Sequence, residues 1–103
     1  MISENEKQNL KRELVSCLKT EKEIRRIIIF GSFLNSSDPH DLDVAVFQDS
    51  SEQYLTLAMK YRKRTRDIAR IISLDIIPVR SDAPSGFLMD EIQQGEIIYE
   101  RRN

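Results

Sequence analysis

The sequence predicts a small α/β sandwich, a mixed β-sheet packed with helices in the order α-β-β-α-β-α-β, over one domain spanning all 103 residues. Three observations carry that prediction. Residues 24–30 and 44–47 are near-continuous apolar runs joined by turn-rich chain, as buried strands are. A charged helical stretch separates the second run from a third, residues 71–79, so the helix between them is a crossover that permits parallel pairing. Ahead of the first run, Leu10, Leu14, Cys17 and Leu18 recur at helical spacing, which lays a helix against the sheet.

Each element has its own local cause. Ser3-Glu4-Asn5-Glu6 has the spacing of a capping box, with Ser3 as N-cap, so the first helix covers about residues 4–21. Cys17 on its stripe reads as a small core residue rather than a reactive thiol. Ile24 to Phe30 forms the first strand. After Gly31-Ser32, residues 33–40 hold turn chemistry, Asn35-Ser36-Ser37-Asp38-Pro39, which opens with a helical turn. The second strand runs from Asp41 to Phe47. Ser50 or Ser51 caps a helix over 51–70, with Tyr54, Leu55, Ala58, Tyr61, Ile68 and Ala69 inward. Lys60, Arg62, Lys63, Arg64, Arg66 and Arg70 lie outward, a solvated face or, alternatively, a polyanion patch. The third strand covers 71–79, with Pro78 at an edge or end. Residues 81–86 form a loop, 87–94 a short helix stopped by Gly95, and Glu96 to Glu100 a last strand.

Composition narrows the function classes. A net charge of −1 offers no broad attraction to nucleic acid or anionic membrane, so a nucleic-acid partner is not expected. No apolar stretch approaches the ~20 residues of a membrane span, and the acidic N-terminus is unlike a signal peptide. A cytoplasmic location is the expectation. One cysteine excludes an internal disulfide, and one cysteine with one histidine argues against structural zinc. There is no phosphate-loop lysine motif, no glycine-rich dinucleotide fingerprint and no Gly-x-Ser-x-Gly elbow.

The chemistry concentrates in residues 31–43 and at Asp75. Asp41 and Asp43 lie two apart on a strand, so they share a face with Cα atoms about 6.5–7 Å apart. Both faces continue into apolar residues, which puts Asp43 at the margin of packed structure. A carboxylate there is paired, protonated or on a metal. The plainer reading is a solvated strand entrance. If the third strand lies beside the second, Asp75 joins the pair, and three carboxylates suit one or two Mg²⁺ ions. Taken alone, Asp75 is a core acid that demands an arginine. Gly31 lets a phosphate approach the backbone, and Ser32 adds a hydroxyl donor at a helix start. Taken alone, the two make a plain turn.

Gly31-Ser32, Asp41-Leu42-Asp43 and the later strand aspartate Asp75 together resemble the Gly-Ser…Asp-x-Asp…Asp signature of the DNA polymerase β nucleotidyltransferase superfamily. Length, leading helix and the Gln94-Gly95-Glu96-Ile97-Ile98-Tyr99-Glu100 ending are similar to its minimal single-domain members. The resemblance implies a polymerase β palm-like fold and Mg²⁺-dependent transfer of a nucleoside monophosphate, foremost AMP from ATP, onto a hydroxyl. It implies that Asp41, Asp43 and Asp75 are the catalytic and metal-binding triad, and that Gly31 and Ser32 hold the nucleotide. As partner it implies an all-helical protein of the HEPN type, neutralised in a toxin–antitoxin pair. Separately, so short a chain offers little surface to hold an acceptor, so a second chain or a second copy of this one is expected to supply it. The alternative is a non-catalytic antitoxin that acts by binding. The chain departs from the pattern in one place: residues 33–40 contain no Lys or Arg, so triphosphate charge would rest on metal, backbone N–H groups, Arg80 or a partner. His40, where a serine is common, reads as a loop residue.

Overall fold

Ser3 starts the first helix as its spacing predicts. In the computed structural model, which describes residues 2–83 and 86–102, the Glu6 N–H donates to the Ser3 hydroxyl at 3.1 Å. The Ser3 N–H donates to the Glu6 carboxylate at 3.0 Å. Two N–H groups that a helix start leaves orphaned are satisfied reciprocally, and α1 runs Glu4–Leu18. It ends a turn before the expected residue 21. Leu18, the last apolar position of the stripe, is fully buried, and the Glu21 N–H closes back onto its carbonyl.

β1 (Ile24–Phe30) pairs antiparallel with β2 (Asp41–Gln48), and β2 pairs parallel with β3 (Ser73–Arg80). β4 (Glu96–Glu100) adds antiparallel to the other side of β1, giving the order β3-β2-β1-β4. The sheet is therefore mixed, with its parallel pair across the helical crossover. β3 is an edge strand, where Pro78 leaves no ladder bond unmade. A register shift in β1 between Ile24 and Arg26 turns Ile24 to the same side as Ile27 and Ile29.

The two sheet faces carry two cores. Leu10, Leu14 and Leu18 of α1 close over Ile27, Ile29, Val44 and Val46, together with Tyr61 and Ile68 of the crossover. On the other face Ile28, Phe30, Ala45 and Phe47 pack under Ile92 of α4 (Phe87–Gln93). Asp41 and Asp43 belong to this second face, at the entrance of β2, where burial gives way to solvent.

The crossover corrects the expectation of a single helix over 51–70. α2 spans Tyr54–Arg64 and α3 Arg66–Ala69. Gln53 is the N-cap, without a side-chain bond, and Ser50 instead accepts from the Glu52 N–H. Between the helices Thr65 is fully buried, and its hydroxyl donates to the Tyr61 carbonyl at 2.8 Å, a back-bond that competes with the helical ladder. The inward stripe is Leu57, Ala58, Tyr61 and Ile68, whereas Tyr54, Leu55 and Ala69 face water. β3 starts at Ser73 rather than 71, β2 and β3 each extend one residue further, and α4 stops at Gln93. The expected 81–86 loop falls at 84 and 85 outside the described residues. Of the basic residues on the outer face, Lys60 and Arg64 pair with Glu21 and Glu23, and Arg70 with Asp67. That face is half neutralised, which favours the solvated reading. No helix among the described residues is long and apolar enough to cross a membrane.

Candidate active site

Gly31 turns the chain where β1 ends. Its φ of +80° lies in the left-handed region that a Cβ disfavours. It also lies against Asp43, since a Cβ on Gly31 would stand 2.6 Å from Asp43 Oδ2. The position accepts no side chain on either count. From there a 3₁₀ helix, Gly31–Leu34, carries the chain around the end of the sheet. Phe30 is packed in the smaller core and Phe33 is fully buried in the larger one. The Asn35 and Ser36 N–H groups close onto the Ser32 carbonyl at 3.2 and 2.8 Å. The expected helical turn is present, and Ser32 is exposed on it.

Strand register then assembles the acids. Phe30 is opposite Asp43, and Asp43 is opposite Asp75. Opposed residues share a sheet face on strands about 4.8 Å apart, so Asp75 stands beside Asp43 on the face that also carries Asp41. The three carboxylates expected from the sequence are brought to one face. Asp75 corrects one expectation: it is exposed on an edge strand and needs no arginine. None of the three makes an ion pair or side-chain hydrogen bond among the described residues. Burial pushes the Asp43 carboxyl above the usual aspartate range, and the charges of Asp75, Asp41 and Glu91 add to the effect.

Glu91 is a member that sequence reasoning misses. It precedes Ile92, whose burial against the sheet leaves Glu91 at the rim of α4. A cavity of about 360 Å³ there is lined by Gly31, Ser32, Asn35, Glu91, Gln94 and Gly95. The signal was a helical neighbour of an inward apolar residue, which thousands of surface acids share. A larger groove of about 510 Å³ between α1 and β4, at Lys11, Val15 and Ile97, holds none of these acids.

The donor set fits a hard divalent cation. Its ligating atoms are all carboxylate oxygens, their charges repel one another, and no side-chain cation neutralises them among the described residues. The side chains line one face rather than already converging: no three acidic, histidine or cysteine side chains among the described residues form a closed metal cluster. Arg80, proposed as a distant phosphate ligand, is at the wrong end of β3. It lies five positions beyond Asp75, about 16 Å along a strand, and it pairs with Asp82 at 3.4 Å. His40 is exposed beside Asp41.

Comparison with known proteins bears on the family and the fold. The family described as "Polymerase beta, Nucleotidyltransferase" matches residues 12–103. No curated protein matches the sequence. Among solved structures, a chain in the complex of tri-AMPylated Shewanella oneidensis HEPN toxin with MNT antitoxin superposes with a TM-score of 0.63 at 19% identity. The match covers 92% of this chain and 73% of that one. A chain of the MntA–HepT toxin–antitoxin complex matches with a TM-score of 0.60 at 17% identity, over 91% and 73%. At these identities the structural likeness speaks for the fold.

Proposed function

This chain belongs to the polymerase β nucleotidyltransferase family, and from that premise we propose that it transfers AMP from ATP, with Mg²⁺, onto a hydroxyl of a protein partner. One observation carries the reading: Asp43 overhangs the left-handed Gly31 while Asp75 stands next to it in register. The turn suited to phosphate and the acids suited to metal are one structure.

In this reading Gly31 and Ser32 hold the triphosphate through backbone N–H groups and the exposed Ser32 hydroxyl. Asp41, Asp43 and Asp75 hold the metal, which when bound supplies Lewis-acid stabilisation of the charge on the transferring and leaving phosphates. The acceptor oxygen bonds to the α-phosphorus as the bond from that phosphorus to the β-bridging oxygen breaks, and pyrophosphate leaves. The hydroxyl proton passes to a carboxylate. Asp75, exposed on the edge strand, is the acid open to an incoming acceptor. One complex of similar fold joins an MNT antitoxin to a tri-AMPylated HEPN toxin, which supports a HEPN-type helical protein as acceptor here.

The test is a transfer assay with Mg²⁺ and each α-labelled NTP, with and without the protein encoded beside this one. Label moving to that neighbour with wild type, and not with Asp43→Asn, supports the reading. A second reading, an antitoxin that works by binding alone, is favoured by the lack of Lys or Arg in residues 33–40. A tight complex that forms without label transfer, and survives Asp43→Asn, would establish it.

A further inference from the structure

Lys7 is a lysine where the fold wants an apolar residue. It continues the stripe of Leu10, Leu14 and Leu18 one turn toward the N-terminus, and only 8% of it is exposed. Lysine is rarely that buried without a carboxylate partner, and among the described residues Lys7 has none. Its Nζ instead donates to the Ser36 carbonyl at 2.7 Å and lies 5.4 Å from the centre of the Phe33 ring.

Both contacts fall on the loop that follows Gly31-Ser32. The Ser36 N–H bonds to the Ser32 carbonyl, so one residue, Ser36, links the ammonium of α1 to Ser32. The Ile2 N–H adds a second tie, to the Ser37 carbonyl at 3.4 Å. An ammonium carries three donors, and the Ser36 carbonyl occupies one. A cavity of about 390 Å³ opens beside Lys7, and shares Leu34, Asn35, Gln94 and Gly95 with the cavity at Gly31 and Ser32. The acids nearby are otherwise engaged: Glu96 pairs with Lys11 and Glu4 accepts from Gln8.

We propose that Lys7 is a positioning residue for anionic phosphate, fixing the loop after Ser32 and lending it the positive charge that residues 33–40 lack. This rests on the nucleotidyltransferase reading and assigns a part of it to the first helix. A charge in a partly buried setting is weakly screened, so it acts on a ligand at Ser32 from behind the loop.

The test compares wild type with Lys7→Met, which keeps the apolar stem over Phe33, and with Lys7→Arg, which keeps charge and donor. Without ligand, amide exchange at residues 35–38 should quicken about tenfold in Lys7→Met, the loss of one charge-assisted hydrogen bond. Affinity for Mg·ATP, read by calorimetry, should fall about tenfold and the KM for ATP should rise with kcat retained. Lys7→Arg should recover both. Should Lys7→Met fold poorly, Lys7→Gln provides the uncharged comparison. Unchanged exchange and unchanged ATP affinity in a folded Lys7→Met protein would leave Lys7 a packing residue and overturn the proposal alone. A wild type that binds no Mg·ATP would instead sink the nucleotide reading, and the phosphate role of Lys7 with it.

Discussion

Asp43 occupies a position that works against the stability of the metal-free protein. Burial, then Asp75, Asp41 and Glu91, hold its carboxyl above the ordinary value of 3.8. With the folded-state value raised, the unfolded chain loses this proton first. Stability therefore falls as pH climbs from 3.8 through the folded value, and the whole penalty is present at neutral pH. Asp43→Asn should accordingly raise the melting temperature of the metal-free protein at pH 7, and the advantage should vanish below pH 3.8. The same substitution should lower transfer by at least about a hundredfold, as loss of a metal ligand does. Lower stability of Asp43→Asn at pH 7 would make Asp43 a structural residue. Gly31 is bound to the same atoms. Gly31→Ala should cost about 1–3 kcal/mol in denaturant unfolding, from its positive φ and from the clash with Asp43 Oδ2. Because part of that cost is the clash, combining it with Asp43→Ala should destabilise less than the sum of the two. Additivity would assign the whole cost to the backbone.

At the scale of elements, the strands were legible and the crossover was not. β1 follows its apolar run to the residue, because a strand buried on both faces has little freedom in where it ends. β4, a largely exposed edge strand, has its start set instead by the turn at Gly95 and its pairing on β1. The crossover offers two overlapping stripes, one through Tyr54, Leu55 and Ala58 and one through Leu57, Ala58 and Tyr61. Nothing local chooses between them. Tertiary pairing chooses: Tyr61 donates to Glu23 at 2.8 Å, and Lys60 pairs with Glu23 at 2.9 Å and with Glu21 at 3.2 Å. These bonds tie α2 to the start of β1 and fix its rotation. Burial alone would raise the Glu23 carboxyl, but the hydrogen bonds from Lys60 and Tyr61 hold it below the usual 4.5. That stabilisation is present above pH 4.5 and is lost as pH falls through the folded value. Tyr61→Phe should therefore cost about 1–2 kcal/mol at pH 7, and the difference from wild type should narrow in acid. A pH-independent difference would place the loss in packing rather than in the bond to Glu23.

Across the whole molecule, the site is a product of topology, and that decides which of its members a sequence can reveal. Asp41 and Asp43 share a face by the two-residue period of a strand, which is local and readable. Asp75 needs the parallel register of β3 on β2, which follows once the intervening helix is seen as a crossover. Lys7 follows the local stripe of α1, but its bond to Ser36, like the approach of Glu91 on α4, comes from packing that no local pattern encodes. The assembled face therefore gathers acids from β2, β3 and α4, and a cation bridging them would stabilise the folded chain as a unit. Mg²⁺ at ten times its dissociation constant should add about 1.4 kcal/mol, which for a domain of this size raises the melting temperature by on the order of 5–10 °C. Asp43→Asn starts from a relieved repulsion and lacks a ligand, so its melting temperature should hardly respond to Mg²⁺. A wild type indifferent to Mg²⁺ and Mn²⁺ up to millimolar levels would mean that these carboxylates repel without gathering a metal unless nucleotide brings it. An equal rise in both proteins would put the cation elsewhere on the surface.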